Sequence, residues 1–414
     1  MSNTAPWAFI ALAGILTWVS PRLSLYLFVL ASPWAGVNDV LGWDPRARWA
    51  ILLGLRGAWE AWGTGASCVP RTACRVWLGF TVLAVAGLWM GNTPLLAYEL
   101  DAPRSALLSF VAGSCGVYAI WQLIRETQQL RALCAVFTAS VLISSSVGIA
   151  QAAARYRLGV PSSRISGPLS NANYFATYLA LAATALVLLI RLKLIRRWFG
   201  GIACLAAMLA CGLTLSRAGV LAVLVGVGLA WFSRSDRKLI SARIVGATAA
   251  AVLLAAALLA SYLLQFRRNV TNTDEPQRER LVEAGQTVED LSRLEAFRYS
   301  LQLAGEHPLA GVGFGTFAAR NYQANGFYVS THNTLMQVLV GTGLPGGILI
   351  FCLIVALLRP LPLQQRRQLF PAAAAFGICS LFGDYLQAIE ILVFFAILYL
   401  SVRNSGQETQ PCAV

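Results

Sequence analysis

His332 is the side chain of this sequence best placed for proton transfer. The chain has only two histidines, and His332 stands in a Thr-His-Asn run where an apolar helix is predicted to begin. In the first turn of a helix the dipole disfavours the imidazolium form, which leaves the ring able to accept a proton. Asn333 could orient this ring or donate to a substrate. His307 precedes Pro308 in a predicted turn, and we interpret it as structural.

Two further predicted helix starts carry polar residues, one from Ser170 to Asn173 and one at Ser216 and Arg217. Each start offers a plausible cap, backbone N–H groups without a helical partner, and the positive end of a helix dipole. If these starts meet that of His332, they form a site for a negatively charged group. Arg217 would then bind the anion, unless it only extends to the membrane surface. Arg164 is a similar candidate.

The long polar stretch 265–331 contains one predicted helix of about three turns. Ser292 with Glu295 fits a capping box at its start, and Gly305 fits a stop. Its apolar residues recur at helical spacing. They are Val288, Leu291, Leu294, Phe297, Leu301 and Ala304.

Arginines and glycines of this stretch are candidates for binding an anion. Arg293 lies near the predicted helix start and Arg298 one turn on, although Arg293 could instead pair with Glu289 on a solvated face. Gly313 and Gly315 follow in a G-V-G-F-G run. Backbone N–H groups at this glycine density could form an anion-binding nest, or the chain could simply make a tight turn.

The sequence has no D-x-D, no H-E-x-x-H and no other cluster of metal ligands. A sugar-phosphate leaving group needs its charge neutralised by a metal ion or by arginine, and here arginine is the available choice. We therefore predict neither a metal nor another cofactor. Two acids near the end of the chain, Asp384 and Glu390, lie in or beside an apolar segment. They could be functional there, or pair with an arginine.

The composition is that of a membrane protein. Of the 414 residues 57 % are hydrophobic and 12 % charged, against about 25 % charged in a soluble domain. The predicted class is an all-α polytopic membrane protein with about twelve transmembrane helices of ~20 residues and one long loop that contains short helices. The predicted spans are 5–20, 23–40, 75–91, 105–124, 130–152, 171–190, 197–214, 217–233, 243–264, 333–357, 369–384 and 386–402. A shorter run near 49–62 is predicted to be an interfacial helix, because it carries Arg56 and Glu60.

The basic residues assign an orientation to these spans. With the N-terminus in the cytoplasm, most arginines fall in cytoplasmic connections, Arg46 and Arg48 among them, as the positive-inside rule requires. Both termini are then cytoplasmic and the long loop faces outward. The predicted units are 1–264 with nine spans, 265–332 as the loop carrying catalytic residues, and 333–414 with three spans and a short tail. The net charge of +14 is scattered between spans, which excludes nucleic-acid binding and fits contact with membrane lipids.

Three stretches of the chain are recognisable together. They are G-P-L-S-N-A-N-Y-F-A from Gly167, L-S-R-A-G from Leu215, and a loop pattern of R-L-E-A-F from Arg293, H-P-L-A-G-V-G-F-G-T-F from His307 and H-N-T-L-M-Q-V-L-V-G-T-G-L from His332. Their order and spacing resemble the O-antigen ligase/polymerase superfamily. The resemblance implies a metal-independent, membrane-embedded glycosyltransferase of the GT-C kind, whose essential groups fall on Arg217, Arg293 and His332. One departure is Gly341, where the family usually has an acid.

The resemblance also implies a reaction. A glycan moves from undecaprenyl diphosphate to the lipid A–core oligosaccharide at the periplasmic face of the bacterial inner membrane. The single modest outer loop favours this O-antigen ligase over two alternatives of the same superfamily, O-antigen polymerase and protein O-oligosaccharyltransferase. An alternative of another class is a transporter or flippase of lipid-linked sugars, which should carry charges midway along several spans.

The candidate residues fall into two groups. The catalytic candidates are His332, Arg217 and Arg293, and the substrate-binding candidates are Arg164, Asn171, Asn173, Arg298, Asn333, Gly313 and Gly315.

Overall fold

The structure is a computed structural model that describes residues 4–34, 44–64, 70–90, 101–158, 164–169, 171–232, 288–326 and 329–405. Within these ranges the regular secondary structure is helical, as the predicted all-α class requires. The predicted span at 243–264 and the first part of the long loop lie outside the described residues, as does Ser170.

Helices before the loop include most of the predicted spans. They are α1 (Thr4–Val19), α2 (Pro21–Ala31), α3 (Pro45–Thr64), α4 (Arg71–Met90), α5 (Asp101–Leu123), α6 (Thr127–Arg157), α7 (Ala172–Arg191), α8 (Arg197–Leu213) and α9 (Arg217–Phe232). The loop carries α10 (Val288–Glu306) and α11 (Phe317–Asn325). The helices after it are α12 (Thr334–Leu358), α13 (Leu363–Ser380) and α14 (Ile389–Asn404).

Several helices have the length and composition of membrane spans. Among the described residues, most of α5 together with α6, α7 and α12 are long and apolar enough to cross a membrane. Shorter apolar helices, including α1, α2, α8 and α9, accompany them. The chain is therefore an integral membrane protein, although fewer helices qualify individually than the twelve spans that were predicted.

α7 is the centre of the bundle. Every residue from Phe175 to Leu189 is buried, because neighbouring helices cover this apolar helix on all sides. α8 returns antiparallel to α7, so α9 begins beside the start of α7. The starts of α12 and α14 lie at the same end, as the contacts below show. We call this end of the bundle, where α7, α9, α12 and α14 begin, the polar end.

The structure differs from the expected interfacial helix at 49–62. α3 has 20 residues and lies along α5, where Gly54 lets the two backbones approach at Cys115. The charges that suggested an interfacial position neutralise each other, since Arg56 pairs with Glu60 at 2.7 Å. α3 is therefore longer than the run predicted at 49–62, and it packs lengthwise on α5.

The N-terminal helix runs in the same direction as α3. The rings of Phe9 and Trp49 meet edge to face with centroids 5.7 Å apart, and those of Trp18 and Trp59 meet in the same way at 6.0 Å. Because the contacts advance along both helices together, α1 begins at the end of the bundle where α3 begins.

A buried ionic cluster joins the start of α3 to the start of α14. Arg46 donates to the two carboxylate oxygens of Asp44 at 3.0 and 2.9 Å and to Ser32 O at 2.6 Å. The same guanidinium lies 3.5 Å from Glu390 Oε2. The alternative that Glu390 pairs with an arginine is confirmed. Arg46, expected in a cytoplasmic connection, lies at the polar end because its partner is in the first turn of α14.

α10 differs from its prediction in its start and in its buried face. It begins one turn before Ser292, which therefore lies inside the helix, and it ends just after Gly305, as predicted. Its buried apolar residues, Ala296 and Leu303, pack with Val312, Phe317 and Val340. Phe297 and Leu301, two of the apolar residues that recur at helical spacing, are 39 % and 49 % exposed. This spacing predicted the helix but not the face that it buries, because the loop and α12 cover the neighbouring side.

Candidate active site

His332 lies at the polar end in the segment that leads into α12. Asn333 is the N-cap of this helix, and its Oδ1 accepts from Met336 N at 3.0 Å. His332 therefore precedes the helix. The sequence had placed it in the first helical turn. Its φ is +48°, in the left-handed region that is uncommon for residues other than glycine. Such strain persists only where the surroundings fix the backbone, and it is concentrated at functional sites.

The residues on either side of His332 are fixed by the connection between α13 and α14. Ser330 Oγ donates to Asp384 Oδ1 at 3.1 Å. Thr334 Oγ1 donates to Gly383 O at 2.7 Å. The imidazole is thus carried on a short arc whose two ends are both hydrogen-bonded to the same connection, which accounts for the strained backbone between them.

The same connection reaches the start of α7. Tyr174 Oη donates to Asp384 O at 2.5 Å, and Thr177 Oγ1 donates to Tyr385 Oη at 2.9 Å. Tyr385 N in turn donates to Thr334 Oγ1 at 3.3 Å. The starts of α7 and α12 are therefore joined through Asp384 and Tyr385.

Asp384 is the buried acid of this connection. Burial raises the pKa of its carboxyl to about 6, and the hydrogen bond from Ser330 acts in the opposite sense. The sequence left open whether this acid is functional or paired with an arginine. In the described part of the chain its partner is the Ser330 hydroxyl. Burial therefore favours the neutral form of this carboxyl group, which lies beside the His332 segment.

The starts of α7 and α9 meet at Asn173. Asn171 caps α7, because its Oδ1 accepts from Asn173 N at 2.9 Å and from Tyr174 N at 3.1 Å. The Asn173 Oδ1 accepts from Arg164 Nη2 at 2.5 Å and from Ser216 Oγ at 3.3 Å. All three helix starts that the sequence singled out therefore come together at the polar end.

Arg217 is the first residue of α9, and its side chain is exposed. It forms no ion pair with any residue that the structure describes. The preceding Ser216 accepts from Gly219 N at 3.4 Å and so caps the helix. A guanidinium beside the positive end of a helix is an arrangement that binds phosphate and carboxylate groups.

The two loop arginines that the sequence singled out, Arg293 and Arg298, both lie on α10. Arg293 lies in the second turn of α10, and α10 packs on α12 through Leu303 and Val340. Arg298 is exposed, and no contact within the described ranges brings it to the three helix starts.

Arg320 in α11 is a further loop arginine that was not among the candidates from the sequence. It is half-buried, and its Nη2 lies 3.5 Å from Val312 O. Burial lowers its pKa, while the nearby Tyr299 acts in the opposite sense. Its place one turn after the glycine-rich run is the signal that could have singled it out.

The glycine-rich run joins the loop to a break in α12. The helix is interrupted at Gly343, whose φ is +66° and ψ −170°. The break releases Val340 O and Leu344 N from helical bonding. Val312 N donates to Val340 O, and Leu344 N donates to Pro308 O, both at 2.7 Å. Backbone groups of the loop and of α12 thus satisfy each other, as buried polar groups must.

Gly313 and Gly315 have φ values of +104° and +79°. Thr316 N donates to Gly313 O at 3.2 Å, so this part of the chain makes the tight turn that was the alternative to an anion nest. At Gly341 a Cβ would lie 3.1 Å from Phe314 Cα. The glycine that stands where an acid was expected therefore lets the loop pack directly on α12.

Replacing Gly343 with alanine should loosen the loop from α12. The new Cβ would lie 2.7 Å from Pro308 O, and alanine is unfavourable at this positive φ. We expect the free energy of unfolding to fall by about 1–3 kcal/mol, measured as a lower melting temperature in detergent with faster proteolysis of the loop. Gly305→Ala is the matched control, because nothing lies within 4 Å of its new Cβ. Equal stability of the two variants would show that this joint does not hold the loop.

The arrangement suits a reaction on a negatively charged group. Arg217 and the helix starts supply positive charge, and the imidazole of His332 can accept a proton. Within the described ranges, no three His, Cys, Asp or Glu side chains come together as a potential metal site.

Comparison with known proteins agrees with the motifs. The O-antigen ligase family matches the chain over residues 202–351. This range contains Arg217, Arg293 and His332. No curated protein matches the chain significantly. The resemblance drawn from the sequence is confirmed for this part of the chain.

Proposed function

We propose that the protein is an O-antigen ligase, because the O-antigen ligase family matches residues 202–351. It transfers a glycan from undecaprenyl diphosphate to the lipid A–core oligosaccharide. The observation that carries the proposal is the meeting of three helix starts at the polar end, with Arg217 exposed at one and His332 strained at another.

Arginine side chains hold the donor in this mechanism. Arg217 and Arg293 bind the diphosphate, because a guanidinium donates two parallel hydrogen bonds to neighbouring phosphate oxygens. The N–H groups at the starts of α7, α9 and α12 add partial positive charge. Together they neutralise the charge that develops on the leaving diphosphate, so the proposed reaction needs no metal and no other cofactor.

His332 acts on the acceptor. Its imidazole takes the proton from the attacking sugar hydroxyl, which is a poor nucleophile at neutral pH. The acceptor oxygen bonds to the anomeric carbon as the bond from that carbon to the phosphate oxygen breaks. The electron pair leaves with undecaprenyl diphosphate, and His332 then releases the proton to water. Asn333 fixes the backbone next to the ring through its cap of α12.

The polar end faces the periplasm in this proposal. The described helices form a GT-C-type frame in the inner membrane. α14 runs away from the polar end, so its last residue, Asn404, lies on the cytoplasmic side. Because α1 starts at the polar end, its first residue Thr4 lies on the periplasmic side, in place of the cytoplasmic N-terminus expected from the basic residues.

The test is a transfer reaction with purified components. The protein is incubated with a lipid-diphosphate glycan and lipid A–core, in the presence of a chelator. The expected product is glycan attached to the core, with free undecaprenyl diphosphate released. Absence of this product from a preparation of folded protein would overturn the proposal.

The same reaction separates the alternatives. A polymerase would lengthen the glycan on its lipid without using the core, and a protein oligosaccharyltransferase would require a polypeptide acceptor. A flippase would move the donor across a vesicle membrane without forming any new glycosidic bond.

A further inference from the structure

The guanidinium of Arg164 is hydrogen-bonded to other residues of the protein. Its Nε donates to Thr214 O at 3.1 Å and its Nη2 donates to Asn173 Oδ1 at 2.5 Å. Its own carbonyl accepts from Arg155 Nη1 in the last turn of α6. The guanidinium and the backbone carbonyl of Arg164 are therefore both hydrogen-bonded to neighbouring elements.

The contacts of Arg164 converge on the turn between α8 and α9. Thr214 is buried and is held through its carbonyl. Leu215 follows with φ +57°, a left-handed conformation that is unfavourable for residues other than glycine. Ser216 is also buried and donates to Asn173, the residue that Arg164 contacts as well. A strained turn of this kind persists because its surroundings determine it.

This turn decides where Arg217 begins α9. Ser216 caps the helix, and Arg217 is the next residue. A shift of Thr214 or Ser216 would therefore move the guanidinium of Arg217 relative to the starts of α7 and α12.

We propose that Arg164 is a positioning residue that fixes Arg217 through the 214–216 turn, and not a ligand of the substrate as the sequence suggested. The inference rests on the proposed function in taking Arg217 as the ligand of the donor diphosphate. Lysine cannot replace Arg164, because one ammonium group lacks the planar fork that reaches Thr214 O and Asn173 Oδ1 together.

A double-mutant cycle on donor binding tests the proposal. Arg164→Ala should weaken equilibrium binding of the lipid-diphosphate glycan by about tenfold, and Arg164→Lys by a similar factor. In an Arg217→Ala background the same changes should have no further effect, because Arg164 acts only through Arg217. Additive losses in the two backgrounds, or normal binding by Arg164→Lys, would overturn the proposal. Arg157→Ala, at an exposed arginine that ends α6, is the matched control and should bind as the wild type does.

Hydrogen exchange gives a readout that does not depend on the donor. Arg164→Ala should speed exchange of the backbone amides of 214–220, while those in the first turns of α12 keep their wild-type rates. Asn173→Ala should give the same local pattern, and it serves as the second variant should Arg164→Ala fail to fold. Unchanged exchange at 214–220 would overturn the positioning role. If the wild type binds no donor, the proposed function fails, and the exchange result still decides whether Arg164 fixes the turn.

Discussion

Replacing His332 with asparagine should lower the rate of glycan transfer at saturating donor by at least about 100-fold, the loss expected when a general base is removed. Asparagine is the informative substitution because it tolerates the left-handed backbone found here, φ +48°, better than alanine does. The arc between Ser330 and Thr334 should therefore keep its shape. Only the imidazole is lost, and donor affinity should stay close to that of the wild type.

The measurements are the rate of glycan transfer at saturating donor and the equilibrium binding of the donor. His307→Asn is the matched control, since His307 is exposed in the loop and its substitution should change neither quantity appreciably. A variant of His332 that binds donor weakly but turns over normally at saturation would assign the imidazole to binding. The general-base role would then be wrong.

Replacing Arg217 with alanine should weaken donor binding by about ten- to a hundredfold, because hydrogen bonds to charged groups contribute about 1.5–3 kcal/mol each. The melting temperature should change little, since the side chain is exposed and forms no ion pair with the described residues. Arg217→Lys should recover only part of the affinity, because lysine keeps the charge but loses the two parallel donors.

Arg197→Ala is the matched control for this experiment. Arg197 is likewise exposed and is likewise the first residue of a helix, but α8 begins at the end of the bundle opposite the polar end. The comparison therefore separates the charge at the site from a general effect of removing an arginine at a helix start. Equal donor affinity of Arg217→Ala and Arg197→Ala would remove Arg217 from the mechanism.

The sequence by itself determined the features that depend on neighbours along the chain. The apolar runs and low charge indicated a helical membrane protein, because burial in lipid requires apolar side chains and internally paired backbone groups. The helix starts near Asn171 and Asn333 were recognisable, since a cap bonds to N–H groups only two or three residues away, although His332 had been placed inside the second of these helices. The stop of α10 at Gly305 was readable for the same local reason.

Only the tertiary structure decided which distant groups became partners. Arg164 was expected to bind an anion, but its fork is taken by Thr214 and Asn173. A sequence shows which side chains can donate hydrogen bonds. It does not show which acceptors they find, because that depends on how helices that are far apart in the chain pack together.

The same limit applies to α3. Its two charges suggested a surface helix, because an isolated charge is costly in an apolar phase. The fold removes that cost: Arg56 pairs with Glu60 within the helix, and Arg46 reaches Glu390 at the other end of the chain. Periodicity likewise predicted that α10 exists but not which side it buries, since the covering surface is supplied by α12 and the loop.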